Sequence, residues 1–122
     1  LSIEELKDAL SQAEKMGVPS LLIGNGHESL IYKDMFEMVE AAVDNKIMDL
    51  LLFTNGHLLT KQVVEKILNS GITRVFISID ANTEETYNKI RVSRAKVNAN
   101  NQSTRLASVE ENIKYLLNVA KN

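Results

Sequence analysis

Leu50-Leu51-Leu52-Phe53-Thr54-Asn55-Gly56-His57-Leu58-Leu59-Thr60 is the stretch that leaves this chain the fewest choices. An apolar run of strand length needs cover on both faces, which predicts a buried parallel strand. Asn55-Gly56 then supplies residues that accept the positive φ of a tight turn, and Thr60 opens a helical pattern. The unit reads strand, loop, helix, and the loop after such a strand is where α/β proteins place their chemistry. Nearly the same wording occurs earlier. Leu21-Leu22-Ile23-Gly24-Asn25-Gly26-His27 matches Leu51-Leu52-Phe53-Thr54-Asn55-Gly56-His57 at five of seven positions. The match predicts two βα units with one loop design.

The neighbouring segments extend the alternation. Ser2-Ile3-Glu4-Glu5 is a capping box, and Ile3, Leu6, Leu10, Ala13 and Met16 recur at helical spacing until Gly17, predicting a helix from Ile3 to Met16. A short strand, Leu21 to Ile23, precedes a loop from Gly24 to Lys33. Asp34 with Glu37 forms a second capping box for a helix ending near Asn45, with Met35, Met38, Val39, Ala42 and Val43 as its apolar stripe. After the strand from Met48 to Thr54, Thr60 caps a helix whose Val63, Val64, Ile67 and Leu68 face inward before Gly71 ends it. The third strand reads Arg74 to Asp80, so Ser78 and Asp80 share a face. Thr83 caps a short helix through Glu84, Glu85, Tyr87 and Ile90. Residues 92 to 104 lack apolar periodicity and read as a mobile loop. Leu106, Val109, Ile113, Leu116, Leu117 and Ala120 predict a last helix from about Arg105 to Lys121. Strand and helix alternate throughout, as in right-handed βαβ crossovers with a parallel sheet.

Composition excludes several classes. At 122 residues with a formal net charge of −2 and interspersed charges, the chain is one ordinary domain or part of one, with no broad footprint for nucleic acid or an anionic membrane. It has no cysteine, hence no disulfide and no thiolate metal site of its own. No apolar run approaches the about 20 residues of a membrane span, and no signal-peptide pattern opens the chain, so the expected location is cytoplasmic. Three parallel strands cannot close a barrel and leave two sheet edges. Together with a start at Leu1 inside a capping pattern, this reads as a fragment of a larger fold, prone to self-association through those edges.

Polar candidates gather at the carboxyl ends of the three strands: Asn25, His27 and Glu28, then Thr54, Asn55 and His57, then Ser78 and Asp80. Neighbouring strands lie about 5 Å apart, so these loops are expected close together in space. The order Gly26-His27-Glu28, Thr54-Asn55-Gly56, Ser78-Ile79-Asp80, supported by Leu58-Leu59-Thr60, by Glu85 to Arg91 and by Val109 to Leu117, resembles the central part of a radical S-adenosylmethionine enzyme domain. That family carries Gly-Gly-Glu, Thr-Asn-Gly and Ser-Ile-Asp at successive strand ends. The resemblance covers Ser2 to Leu117. It implies an α/β fold that is part of a (β/α) TIM-type barrel, a single partial core domain over residues 1–122. It also implies a 4Fe-4S cluster that cleaves S-adenosylmethionine reductively into methionine and a 5′-deoxyadenosyl radical. Glu28 would meet the ammonium group of the methionine moiety. Ser78 and Arg91 would hold its carboxylate, Arg91 through a bidentate fork. Gly26 would leave backbone room for it, and Thr54, Asn55 and Asp80 would line the cavity.

The departures are as informative. The family's CxxxCxxC motif belongs upstream of the first helix and is not in these residues, so a chain limited to them is expected to be inactive and to hold no cofactor. His27 stands at the middle glycine of the Gly-Gly-Glu pattern and Ser29 where proline is usual. Residues 92 to 104 make a longer loop than the family's and lack its usual glycine. Two other functions fit the residues: a non-catalytic interaction domain of the same fold, and a metal-dependent barrel hydrolase or isomerase using His27, His57, Glu28 and Asp80. The substrate is set by parts of the family that lie beyond these motifs.

Overall fold

The computed structural model describes residues 2–24, 26–90 and 106–121. Among these residues, five helices and three strands follow one another as α1 (Ile3–Lys15), β1 (Ser20–Ile23), α2 (Met35–Asp44), β2 (Asp49–Thr54), α3 (Lys61–Asn69), β3 (Arg74–Ile77), α4 (Glu84–Ile90) and α5 (Leu106–Val119), with one 3-10 turn at Ser29–Ile31. The strands form a single parallel sheet in the order β1-β2-β3. That is the arrangement expected of part of a (β/α) barrel. The chain divides into two compact units, Leu1–Thr54 with Glu65–Phe76, and Asn55–Val64 with Ile77–Asn122.

In the first unit the capping box of α1 is complete. Ser2 N donates to Glu5 Oε2 at 2.7 Å and Glu5 N to Ser2 Oγ at 3.2 Å. The Ser2 backbone N–H, then its hydroxyl, hold the Glu5 carboxyl below the usual range. Asp34 does not repeat this: it has φ −92° and ψ 8° and makes no side-chain cap bond. An N-cap side chain reaches back to the first turn only from extended backbone. Here Met35 N already bonds Tyr32 O, so the chain enters α2 turning, and the second capping box is not formed.

The strand pair corrects two expectations. β2 alternates: Leu50 and Leu52 are fully buried and Thr54 is buried, while Asp49, Leu51 and Phe53 are half-buried. One face is therefore packed, each buried leucine contributing about 1.5–3 kcal/mol, and the other keeps Leu22 and Phe76 exposed. Phe53 and Phe76 stack on that second face, centroids 4.6 Å apart. Register also departs from the sequence repeat. Ile23 pairs with Leu52 and Leu22 with Leu51, whereas the repeat aligns Leu22 with Leu52. The offset of one residue inverts every side chain, so the two copies of the wording are not equivalent positions in the sheet. At the other end of β2, Arg74 and Thr73 hydrogen-bond the Asp49 carboxylate and hold it below the usual aspartate range, Arg74 contributing more.

β3 ends at Ile77, three residues short of the expectation, and Ser78, Ile79 and Asp80 are exposed and outside the ladder. The shared strand face argued for Ser78 and Asp80 therefore does not apply. In the second unit the core is Tyr87, Leu106 and Val109, with Ala81 and Ile113 packed against it. Helical stripes are narrower than periodicity suggested: Val43, Leu68 and Leu117 are exposed at the margins of α2, α3 and α5.

Candidate functional site

The first unit builds one set of site residues around the end of β1. Gly24 has φ 99°, and a Cβ there would run into Ser29 Oγ and approach Phe53 O at 2.7 Å. No side chain fits, so the backbone of the loop lies directly against β2. Ser29 is buried and donates to Phe53 O at 3.5 Å. Glu28 caps the 3-10 turn, its Oε1 accepting from Leu30 N at 3.3 Å. The same oxygen accepts from Thr54 Oγ1 at 2.7 Å. Thr54 is only 4% exposed, so this hydrogen bond to a carboxylate is shielded from water and contributes about 1.5–3 kcal/mol. It joins the first motif to the second. Gly26, with φ 102°, has nothing within 4 Å of where a Cβ would stand. His27 is exposed and lines a cavity of about 430 Å³ with Gly24, Ser29, Leu22 and Tyr32.

The second unit builds the turn that follows. Asn55 Oδ1 accepts from His57 N at 3.0 Å, an Asx turn that sets the orientation of the Asn55 amide. Gly56 is buried with φ 81°. Its missing Cβ would lie 2.9 Å from Val109 Cγ1 and 3.2 Å from Ile77 Cγ2. Asn112 Nδ2, on α5, donates to Gly56 O at 3.0 Å and His57 O at 3.4 Å. His57 Nε2 meets the hydroxyl of Tyr87 at 2.7 Å, and Tyr87 is 1% exposed. Thr60 Oγ1 accepts from Val63 N at 3.4 Å and starts α3 as expected.

Of the residues singled out from sequence, Glu28 and Thr54 are in contact, Gly26 has open space where a Cβ would stand, and Asn55 is fixed by its own turn. Ser78 and Asp80 are exposed beyond β3. Arg91, Asn25 and the loop 92–104 lie outside the described residues. The metal-ligand reading of His27, His57, Glu28 and Asp80 loses its footing on the donors themselves: His57 is engaged by Tyr87 and Glu28 by Thr54, and among the described residues no group of three His, Asp or Glu is placed to hold a cation. Ser29 and Asn112 carry site geometry that sequence reasoning missed. Asn112 had a readable signal, a polar residue three positions after Val109 and four before Leu116 in an apolar stripe.

Comparison with known proteins agrees with the motif order. The sequence matches the Radical SAM superfamily over residues 1–119. It is 38% identical over 87 residues to a probable GTP 3',8-cyclase of Methanocaldococcus jannaschii, covering 71% of this chain and 28% of that protein. An AdoMet-dependent heme synthase of Methanosarcina barkeri is 34% identical over 91 residues, 75% of this chain and 26% of that protein. A GTP 3',8-cyclase of Aliarcobacter butzleri is 35% identical over 91 residues, 74% of this chain and 28% of that protein. The chain thus spans less than a third of the length of these relatives.

Proposed function

The chain belongs to the radical SAM superfamily, and on that footing we propose that it is the central part of an enzyme core that binds S-adenosylmethionine and opens it reductively to start radical chemistry on a substrate. The observation that carries the reading is the bond from Thr54 to Glu28. It ties a residue of Gly26-His27-Glu28 to one of Thr54-Asn55-Gly56 across 26 positions of sequence, with a carboxylate two residues from a glycine that has open space where a Cβ would stand. A carboxylate and open backbone suit the ammonium and main chain of a methionine moiety. When bound, S-adenosylmethionine supplies the family's hydrogen-abstracting radical.

Each residue then has a task of its own. Glu28 accepts from the ammonium group while Thr54 and the Leu30 N–H keep its carboxylate aimed. Ser78 and Arg91 hold the methionine carboxylate, and Asn55 and Asp80 contact the remainder of the ligand. The iron-sulfur cluster of the family is a different matter, since 122 residues without cysteine offer it no thiolate. Cluster ligands come from the rest of a longer protein, consistent with the share of the relatives that the chain spans. Those relatives are named for different substrates, a GTP cyclisation and a heme synthesis. What this chain shares with both is accordingly the S-adenosylmethionine step rather than the substrate.

The test is calorimetry of S-adenosylmethionine with the full-length protein. Glu28→Ala removes a charged hydrogen bond of about 1.5–3 kcal/mol and is expected to raise Kd about tenfold to hundredfold. Glu28→Gln keeps an acceptor for Thr54 and Leu30 but loses the charge, so it should lower the thermal midpoint less than Glu28→Ala and still weaken binding. An unchanged Kd in both variants would leave Glu28 with its capping role alone.

A further inference from the structure

We propose that Asn112 is a positioning residue for S-adenosylmethionine binding, holding from α5 the two carbonyls of the turn that presents Asn55. The inference rests on the reading of Asn55 as a ligand contact given above. Its own basis is geometric. Asn112 Nδ2 donates to both Gly56 O and His57 O, consecutive carbonyls of a turn outside regular structure. Gly56 O also accepts from Leu59 N at 3.4 Å, and the two N–H groups of one primary amide reach both carbonyls at once. Asn55 spends its Oδ1 on the His57 N–H, so the same peptide that Asn112 grips from one side is gripped by Asn55 from the other. Movement of that peptide must therefore move the Asn55 amide.

Three residues on one stripe of α5 follow this segment. Val109 packs where a side chain on Gly56 would be, Asn112 bonds the carbonyls, and the Tyr115 ring lies 5.4 Å from Lys61 Nζ at the start of α3. Tyr87, buried in the same core as Val109, adds its hydroxyl to His57. An apolar residue at position 112 would favour both the helix and its packing, because asparagine is a poor helix former and position 112 is half-buried. What asparagine provides there is the pair of donors.

The experiment uses the full-length protein with Asn112→Leu and Asn112→Asp. Asn112→Leu is expected to speed hydrogen exchange of the Asn55 to His57 amides and to weaken S-adenosylmethionine binding about tenfold to hundredfold, the scale of a small misplacement of a positioning group. Asn112→Asp puts an acceptor against two carbonyls. It should bind weakly at about pH 8 and recover in part as the pH falls and the carboxyl is protonated, its single O–H then donating to one of the two carbonyls. That profile is read against the unsubstituted protein, in which His57, Tyr87 and Lys61 are the titratable groups beside the turn. Recovery separates positioning from general loss of structure, and it stands as the test if Asn112→Leu does not fold. Faster exchange with unchanged affinity, or an Asp variant with no recovery, overturns the proposal. Failure of the unsubstituted protein to bind S-adenosylmethionine would instead overturn the reading beneath it, and is seen before any variant is made.

Discussion

Gly26 and Gly56 both have positive φ, 102° and 81°, and both follow an asparagine, yet they answer to different constraints. Gly26 has empty space where a Cβ would be; Gly56 has Val109 and Ile77 at 2.9 and 3.2 Å. Gly26→Ala should therefore cost only the left-handed backbone penalty of about 1–2 kcal/mol. Gly56→Ala adds the overpacking of a buried site and should cost about 2–4 kcal/mol. Urea unfolding of both variants measures the difference, and equal losses would show that Val109 and Ile77 yield freely. The Asn-Gly dipeptides were legible in sequence as turns. Which of them was packed shut was not, because that depends on a valine more than fifty positions away. Glu28 shows the same limit: its type and motif were readable, but not that Thr54 would bind the carboxylate proposed to face the ligand.

At the scale of elements, α1, α2 and α3 are each followed by a left-handed residue. Gly17 follows α1 and Gly71 follows α3, both recognised as stops from sequence. Lys46, φ 58°, follows α2 and was not. Its N–H bonds Val43 O and the Ile47 N–H bonds Ala42 O, the same pair of bonds that Gly17 and Val18 make to Glu14 and Ala13. Lysine pays a steric cost that glycine avoids. Lys46→Gly is thus expected to raise the thermal midpoint by a few degrees. Its bond to Glu14 is lost, but Lys46 is exposed and such pairs contribute little. A lower midpoint in differential scanning calorimetry would mean that the Glu14 pair outweighs the backbone strain. Periodicity located every helix to within a residue or two. It overestimated the buried stripes, since exposure at Val43, Leu68 and Leu117 depends on what packs beside each helix.

For the whole molecule, the sheet order among the described residues leaves β1 and β3 at the edges, the outer side of β1 lying beside exposed Leu22. Edges of this kind pair with further strands or with another copy. The 122-residue chain by itself is expected to associate, its sedimentation coefficient rising with concentration; a constant value across the accessible range would show the edges to be protected. No helix among the described residues is long and apolar enough to cross a membrane.

Sequence alone determined the order of strands and helices and the residue types at the strand ends, because these follow from local periodicity, capping and turn chemistry that each segment carries within itself, and the order of the motifs resembled the family. Only the tertiary structure decided the rest. Register set Ile23, not Leu22, beside Leu52; β3 stopped before Ser78; Thr54 bonded Glu28; and Asn112 reached the carbonyls of Gly56 and His57. Each of these depends on atoms distant in sequence meeting at about 3 Å, and no local pattern records which distant atom that will be.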